Sequence, residues 1–310
     1  MLSFDAKRPL LRTMQNIAPR WLLRGVCHLF GATAYLFNSD DIRTEVLPLI
    51  RKALACGDLE AHKVGMGATI ESLITYLDVL CLMADSPENI KRRMAKSSVV
   101  EGLDHLRKAL ATGRGAILFS AHFGCMYFST LHELADSDTI FSSNLCFLMR
   151  GGDGLDTVIS KIRETAKRPI DIIDIDNPYA AKEIIARLRK NDVIACMFDF
   201  FYEGTSLIVG DFLGKPTATP GGLPRIIAHT GTSVLPQFTF REKDAFRTRI
   251  DKALDLPIDG SLDERTVLIA DLMNRAIEAE ILVKPSEWTF WRGLERRWKW
   301  GKLVTTGGTS

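Results

Sequence analysis

No two cysteines in this chain stand at C-x-x-C spacing, and no cysteines and histidines gather as zinc ligands do, so a structural metal is not expected. The six cysteines (Cys27, Cys56, Cys81, Cys125, Cys146 and Cys196) are scattered, mostly in apolar runs, which suits buried, reduced thiols. Charge imbalance is missing too. Forty basic residues against 38 acidic ones leave a net charge of +2, too little to drive nucleic acid binding, so an electrostatic partner must meet a local patch. No secretory signal is visible at the start, and no uninterrupted apolar run reaches the roughly 20 residues of a spanning helix. Trp21 to Phe37 comes nearest, but Arg24 and His28 break it. An interfacial helix near residues 18–37 is therefore expected. Internal repeats are absent, and only Thr305 to Ser310 is of low complexity, a flexible tail.

What is present suits a globular chain able to bury a core: 310 residues, 46% hydrophobic and 25% charged. Residues 18 to about 112 read as helical. Ile42, Val46, Leu49, Ile50 and Leu54 recur at helical spacing, and similar stretches run from Leu59 to Met83 and from Val100 to Leu110. The pattern changes at Gly113. Short apolar runs suited to strands buried on both faces follow at Ala116 to Ser120, Leu145 to Met149, Ile170 to Ile173, Val193 to Phe198 and Val234 to Phe240. Helical patterns lie between them at Leu155 to Ala166, Tyr179 to Lys190 and Gly221 to His229, with a last one from Leu262 to Val283. This alternation predicts an α/β fold: a mixed, largely parallel sheet flanked by helices, behind a helical N-terminal region.

The segment Ser120-Ala-His122-Phe-Gly-Cys-Met-Tyr127 carries the chemistry. It places a histidine at the C-terminal end of a buried strand, the usual ligand edge of an α/β sheet. A neutral imidazole there can take a proton from a hydroxyl or amine attacking a thioester, since it titrates near working pH. A histidine that only caps the following helix is the structural alternative.

Five blocks in order extend the pattern. They are Gly113-Arg-Gly-Ala-Ile-Leu-Phe-Ser-Ala-His-Phe-Gly124; Leu148-Met-Arg150 with Leu155, Ile159 and Arg163; and a block made of Asp199, Gly210-Asp-Phe-Leu-Gly-Lys-Pro-Thr217 and Thr219-Pro-Gly-Gly-Leu-Pro-Arg225. Then come Thr230-Gly-Thr-Ser-Val-Leu-Pro236 and last Pro285-Ser-Glu-Trp288 through Arg296-Arg-Trp-Lys299. Across roughly residues 100 to 300 the chain resembles the bacterial lipid A biosynthesis acyltransferase family, of lysophospholipid acyltransferase type. The chain is thus divided into residues 1–112, helical by periodicity; 113–284, the acyltransferase core that the resemblance implies; and 285–310, a Trp/Arg-rich C-terminal segment and tail.

It further implies that a histidine five residues before an acidic residue deprotonates the acceptor while the carboxylate orients the imidazole. His122 matches the base. The acidic position is occupied by Tyr127, which leaves three readings: Tyr127 holds the imidazole, another carboxylate (Glu133, Asp136 or Asp199) reaches it, or the chemistry is altered. Arg150 and Arg163 are candidates to clamp a donor phosphate, Arg225 is a candidate anion contact, and a backbone amide near Gly221 could help hold an oxyanion.

The resemblance implies acyl-carrier-protein or coenzyme A thioesters as donors, a membrane lipid hydroxyl as acceptor, and no bound cofactor. Four of the five tryptophans (Trp288, Trp291, Trp298 and Trp300) stand among Arg292, Arg296, Arg297, Lys299 and Lys302, which points to contact with an anionic membrane surface. The inner membrane, at its cytoplasmic face, is the expected location. Rival readings are an amine acceptor or carrier-bound chain, a thioesterase, and a catalytically silent binding relative.

Overall fold

The computed structural model describes residues 20–37, 42–90, 92, 98–124, 143–150, 160, 163–164, 170–202, 204–242 and 245–305. Helix α1 (Arg20–Phe37), a π-helical turn (Ile42–Val46), α2 (Leu47–Leu54) and α3 (Asp58–Ala84) form the N-terminal region. The core then runs β1 (Ser98–Glu101), α4 (Leu103–Leu110), β2 (Ala116–Ser120), β3 (Leu145–Met149), β4 (Ile170–Asp174), α5 (Ala180–Arg189) and β5 (Val193–Met197). It continues through β6 (Leu207–Phe212), β7 (Lys215–Pro220), α6 (Gly222–Thr230), β8 (Ser233–Glu242), β9 (Ala245–Ile250), α7 (Leu262–Val283) and α8 (Trp291–Thr305).

Seven strands make one sheet in the order β1-β9-β8-β2-β5-β3-β4, and β6 pairs with β7 as a separate hairpin. The block from β8 to β4 is parallel; β9 turns back against β8, and β1 runs parallel to β9. The fold is therefore the mixed, largely parallel α/β sheet that the alternation predicts. Central strand β2 shows why its sequence is a continuous apolar run. Ile117 and Phe119 enter one core cluster and Ala116 and Leu118 the other, so helices must cover both faces. Gly115 feeds the strand at φ +66°, where a Cβ would stand 2.6 Å from the carbonyl oxygen of Asp192, which excludes other residues.

Several elements depart from the sequence reading. Strand β1 lies within the stretch read as helical, and β9 and the β6–β7 hairpin were not anticipated. The hairpin contains Gly210, Pro216 and Pro220, all poor strand formers, and its turn uses positive φ at Leu213 and Gly214. The helix expected over Leu155 to Ala166 falls mostly outside the described residues. Helix α3 alone among the described residues is long and apolar enough to cross a bilayer. Its Glu71 and Asp78, however, both pair with Arg241 of β8, the latter at 2.6 Å, which ties the helix to the sheet.

The tryptophan segment requires a correction. Trp288, Trp291 and Trp298 are 0%, 2% and 6% exposed, so these rings cannot reach a headgroup layer. On α8 the positions Trp291, Leu294, Trp298 and Gly301 form one inward stripe against β7, while Arg292, Arg296, Lys299 and Lys302 stay on the outside. Trp300 is half-buried and meets the edge of Phe201. Arg297 also turns inward. Its guanidinium lies 4.2 Å above the Phe212 ring and donates to the carbonyl of Ala218 (3.3 Å), Thr219 Oγ1 (3.3 Å) and Asn274 Oδ1 (3.1 Å). Burial pushes its pKa down to about 10, against the pull of Asp199, so it remains cationic at neutral pH. Arg297→Met strands these buried acceptors and should lower the unfolding free energy by about 3 kcal/mol, measured by urea titration.

Candidate active site

The pairing of β2 with β5 sets Ser120 beside Met197, and both strands run in the same direction. Two residues beyond each strand end, His122 and Asp199 emerge side by side at the C-terminal edge of the sheet. Asp199 Oδ1 lies 2.7 Å from His122 Nδ1, and Oδ2 accepts the backbone N–H of His122 at 2.8 Å. Oδ2 also accepts the indole N–H of Trp288 at 2.8 Å. Among the described residues Asp199 is thus the carboxylate that reaches His122, one of the alternatives opened by Tyr127. Tyr127, Glu133 and Asp136 lie outside the described residues.

The electrostatics follow from this geometry. The Asp199 side chain is 0% exposed and that of His122 is 22% exposed. Burial alone would raise the carboxyl pKa, but the facing imidazole and the hydrogen bonds from His122 and Trp288 outweigh it and hold Asp199 below 3.8. Burial would likewise lower His122, but the Asp199 charge and hydrogen bond hold it above 6.5. With Nδ1–H donated to Asp199, the neutral imidazole presents Nε2 as its lone-pair nitrogen, the form a proton acceptor needs.

Aromatic rings fix the imidazole plane. Phe290 stacks on it at 4.8 Å with an interplanar angle of 21°, and Phe200 meets it edge-on at 5.1 Å. Phe200 in turn meets Tyr202 at 4.9 Å, and the Arg150 guanidinium lies 4.0 Å over the Tyr202 ring. Arg150, at the end of β3, is thereby joined to His122 through two rings, while it also pairs with Asp176 at 2.7 Å.

The remaining sequence candidates stand apart. Arg163 donates from Nε to the carbonyl of Ile170 at the first residue of β4, the opposite edge of the parallel block from His122. It braces a strand start. The N–H of Gly221 already donates to Ser206 (2.8 Å), so this amide is not available to an oxyanion. A Cβ at Gly221 would lie 2.9 Å from Ile208, which accounts for the glycine. Arg225 engages Asp263 at 2.5 Å between exposed faces of α6 and α7. Phe200, Thr289 and Phe290 were not anticipated as site residues, and Trp288 was assigned to the wrong surroundings. Only the tertiary contact separates an indole donating to a carboxylate from one at a membrane.

A parallel α/β sheet that presents a histidine–carboxylate pair at its ligand edge defines a class of site suited to proton abstraction from a nucleophile. Residues 68–300 match the model of the bacterial lipid A biosynthesis acyltransferases, and the chain belongs to that family. It is similar to the phosphatidylinositol mannoside acyltransferase of Mycobacterium tuberculosis strain H37Rv, 25% identical over 236 residues, covering 72% of this chain and 67% of that protein. The counterpart from strain CDC 1551 gives the same figures. Membership makes the chain an acyltransferase of a family that acts on membrane lipids.

The pair also has a signature in stability. His122 is raised, so its contribution is whole below pH 6.5 and fades as pH climbs through its folded pKa. Asp199 is lowered, so its contribution is whole above pH 3.8 and fades as pH drops through its folded pKa. The stability difference between wild type and His122→Gln, from urea unfolding across pH, should therefore peak between pH 3.8 and 6.5 and shrink on either side.

Proposed function

We propose that the protein transfers a fatty acyl group from an acyl-carrier-protein or coenzyme A thioester to a hydroxyl of a membrane glycolipid, with His122 as general base. The observation that carries this reading is the 2.7 Å contact between His122 Nδ1 and a fully buried, ionised Asp199. Nε2 takes the acceptor's proton as its oxygen attacks the thioester carbonyl. A C–O bond forms, the C–S bond breaks, and the thiolate leaves with the proton returned by the imidazolium. Asp199 holds the tautomer and stabilises the imidazolium through the step. Arg150, joined to His122 through Tyr202 and Phe200, is the arginine that this reading assigns to a donor phosphate.

The acceptor side rests on α1. Its inner face (Leu23, Gly31, Tyr35) packs toward α3, where a Cβ at Gly31 would strike Ile70 at 2.8 Å. Its outer face presents Leu22, Val26, Leu29, Phe30, Leu36 and Phe37, which are 44–87% exposed and follow helical spacing. A contiguous apolar stripe of this kind is suited to the acyl boundary of a bilayer. This stripe, in place of the C-terminal tryptophans, supports peripheral membrane contact, which the reading assigns to the cytoplasmic face of the inner membrane.

Two experiments test this reading. Thiol release from palmitoyl thioesters of coenzyme A and acyl carrier protein, with membrane glycolipid present, is expected to fall about 10³-fold in His122→Ala, the range of a lost general base. Equal turnover in wild type and mutant would overturn the assignment of the base. Leu29→Glu/Phe30→Glu should weaken sedimentation with lipid vesicles by about tenfold or more for each side chain withdrawn from the apolar layer, while His122 titration stays as in wild type.

A further inference from the structure

Three buried tryptophans have indole N–H groups with named acceptors, and two of them end on backbone carbonyls. Trp291 donates to Pro285 at 3.0 Å and Trp298 to Phe212 at 3.2 Å. Trp288 is different. It is 0% exposed, wedged against Phe212 and Trp291, and its N–H ends on the Asp199 carboxylate. The residues beside it hold the other member of the pair. Thr289 donates both its backbone N–H and its hydroxyl to the carbonyl of His122, each at 2.9 Å. The carbonyl of Glu287 accepts the N–H of Gly124 at 3.0 Å, Trp288 bridges Phe123, and Phe290 covers the imidazole. One short segment, 287–290, thus grips both His122 and Asp199, which are 77 residues apart in the chain.

We propose that Trp288 is a positioning residue for acyl transfer, whose indole N–H locks the Asp199 carboxylate so that it orients His122 without taking its proton. The proposal rests on the reading of His122 as the base. Two donors on Oδ2, from Trp288 and from the His122 backbone, fix the rotation of the carboxylate and leave Oδ1 facing Nδ1. The indole bond also favours the anionic carboxylate, so the shared proton stays on the imidazole. Other ionisable groups border the pair. Arg297 lies behind the Asp199 backbone at 3.5 Å from its carbonyl oxygen, and Glu71 of α3 and Glu287 flank Gly124.

The test replaces Trp288 with 3-benzothienylalanine, which keeps the bicyclic shape and removes the donor, in the full chain. Trp288→Phe serves as a second donorless variant. The titration of the His122 ring is followed by NMR, assigned against His122→Gln, and palmitoyl-CoA turnover is followed with glycolipid vesicles. Without the N–H the Asp199 anion is less stabilised and the pair holds its proton more tightly. The His122 midpoint is expected to rise by about half a unit or more, and turnover to fall about tenfold, as for a lost bond to a charged group. Asp199→Asn must move the midpoint the opposite way. A midpoint unchanged in the benzothienyl variant overturns the proposal. A raised midpoint with unchanged turnover, alongside an active His122→Ala, would leave Trp288 setting the pair and strike down His122 as the base instead.

Discussion

A carboxylate with no solvent exposure is costly unless donors surround it, and Asp199 is kept charged by hydrogen bonds from His122 and Trp288. Satisfying that one group constrains much of the chain. It fixes where β5 ends relative to β2, requires the segment after α7 to return across the sheet, and places buried Arg297 behind the Asp199 backbone. The histidine turn, the end of β5, the 287–290 segment and α8 are joined at one point, and the sheet register brings the first two together before any side chain contributes.

A second set of contacts ties the N-terminal helices to the same point. Arg241 of β8 pairs with Glu71 and Asp78 of α3, and Thr75 of α3 donates to the carbonyl of Gly124 at 2.8 Å. Helix α3 therefore touches the turn that carries His122 on one side and supports α1 on the other. The apolar outer stripe of α1 is thus held in a fixed relation to the pair.

Much of this was legible in the sequence, for physical reasons. Helix α7 matches Leu262 to Val283 because a Ser261–Glu264 capping box marks its start. Strands β2 and β3 read clearly because double-sided burial leaves uninterrupted apolar runs. His122 follows from its position at a strand end, and Asp199 from the search for a carboxylate to replace the acid missing at Tyr127. The hairpin escaped because prolines and glycines mask strands. Trp288 was misplaced because tryptophans interleaved with arginines have the same composition whether the rings face lipid or a core; the inward stripe of α8 is set by packing against β7, which no local pattern reports. Arg163 and Arg225 could be chosen only by chemistry, and the fold put one at the far edge of the sheet and the other in a surface ion pair.

The most direct test of the His122–Asp199 pair as one catalytic unit is a double-mutant cycle on acyl transfer, with His122→Ala, Asp199→Asn and the double variant assayed on the same thioester and glycolipid. Groups that act as a unit lose their contribution once, so the double variant is expected to be no slower than His122→Ala alone. Losses that multiply, with Asp199→Asn slowing an already His122-less enzyme by its full single-mutant factor, would contradict the pair and show that the carboxylate acts elsewhere.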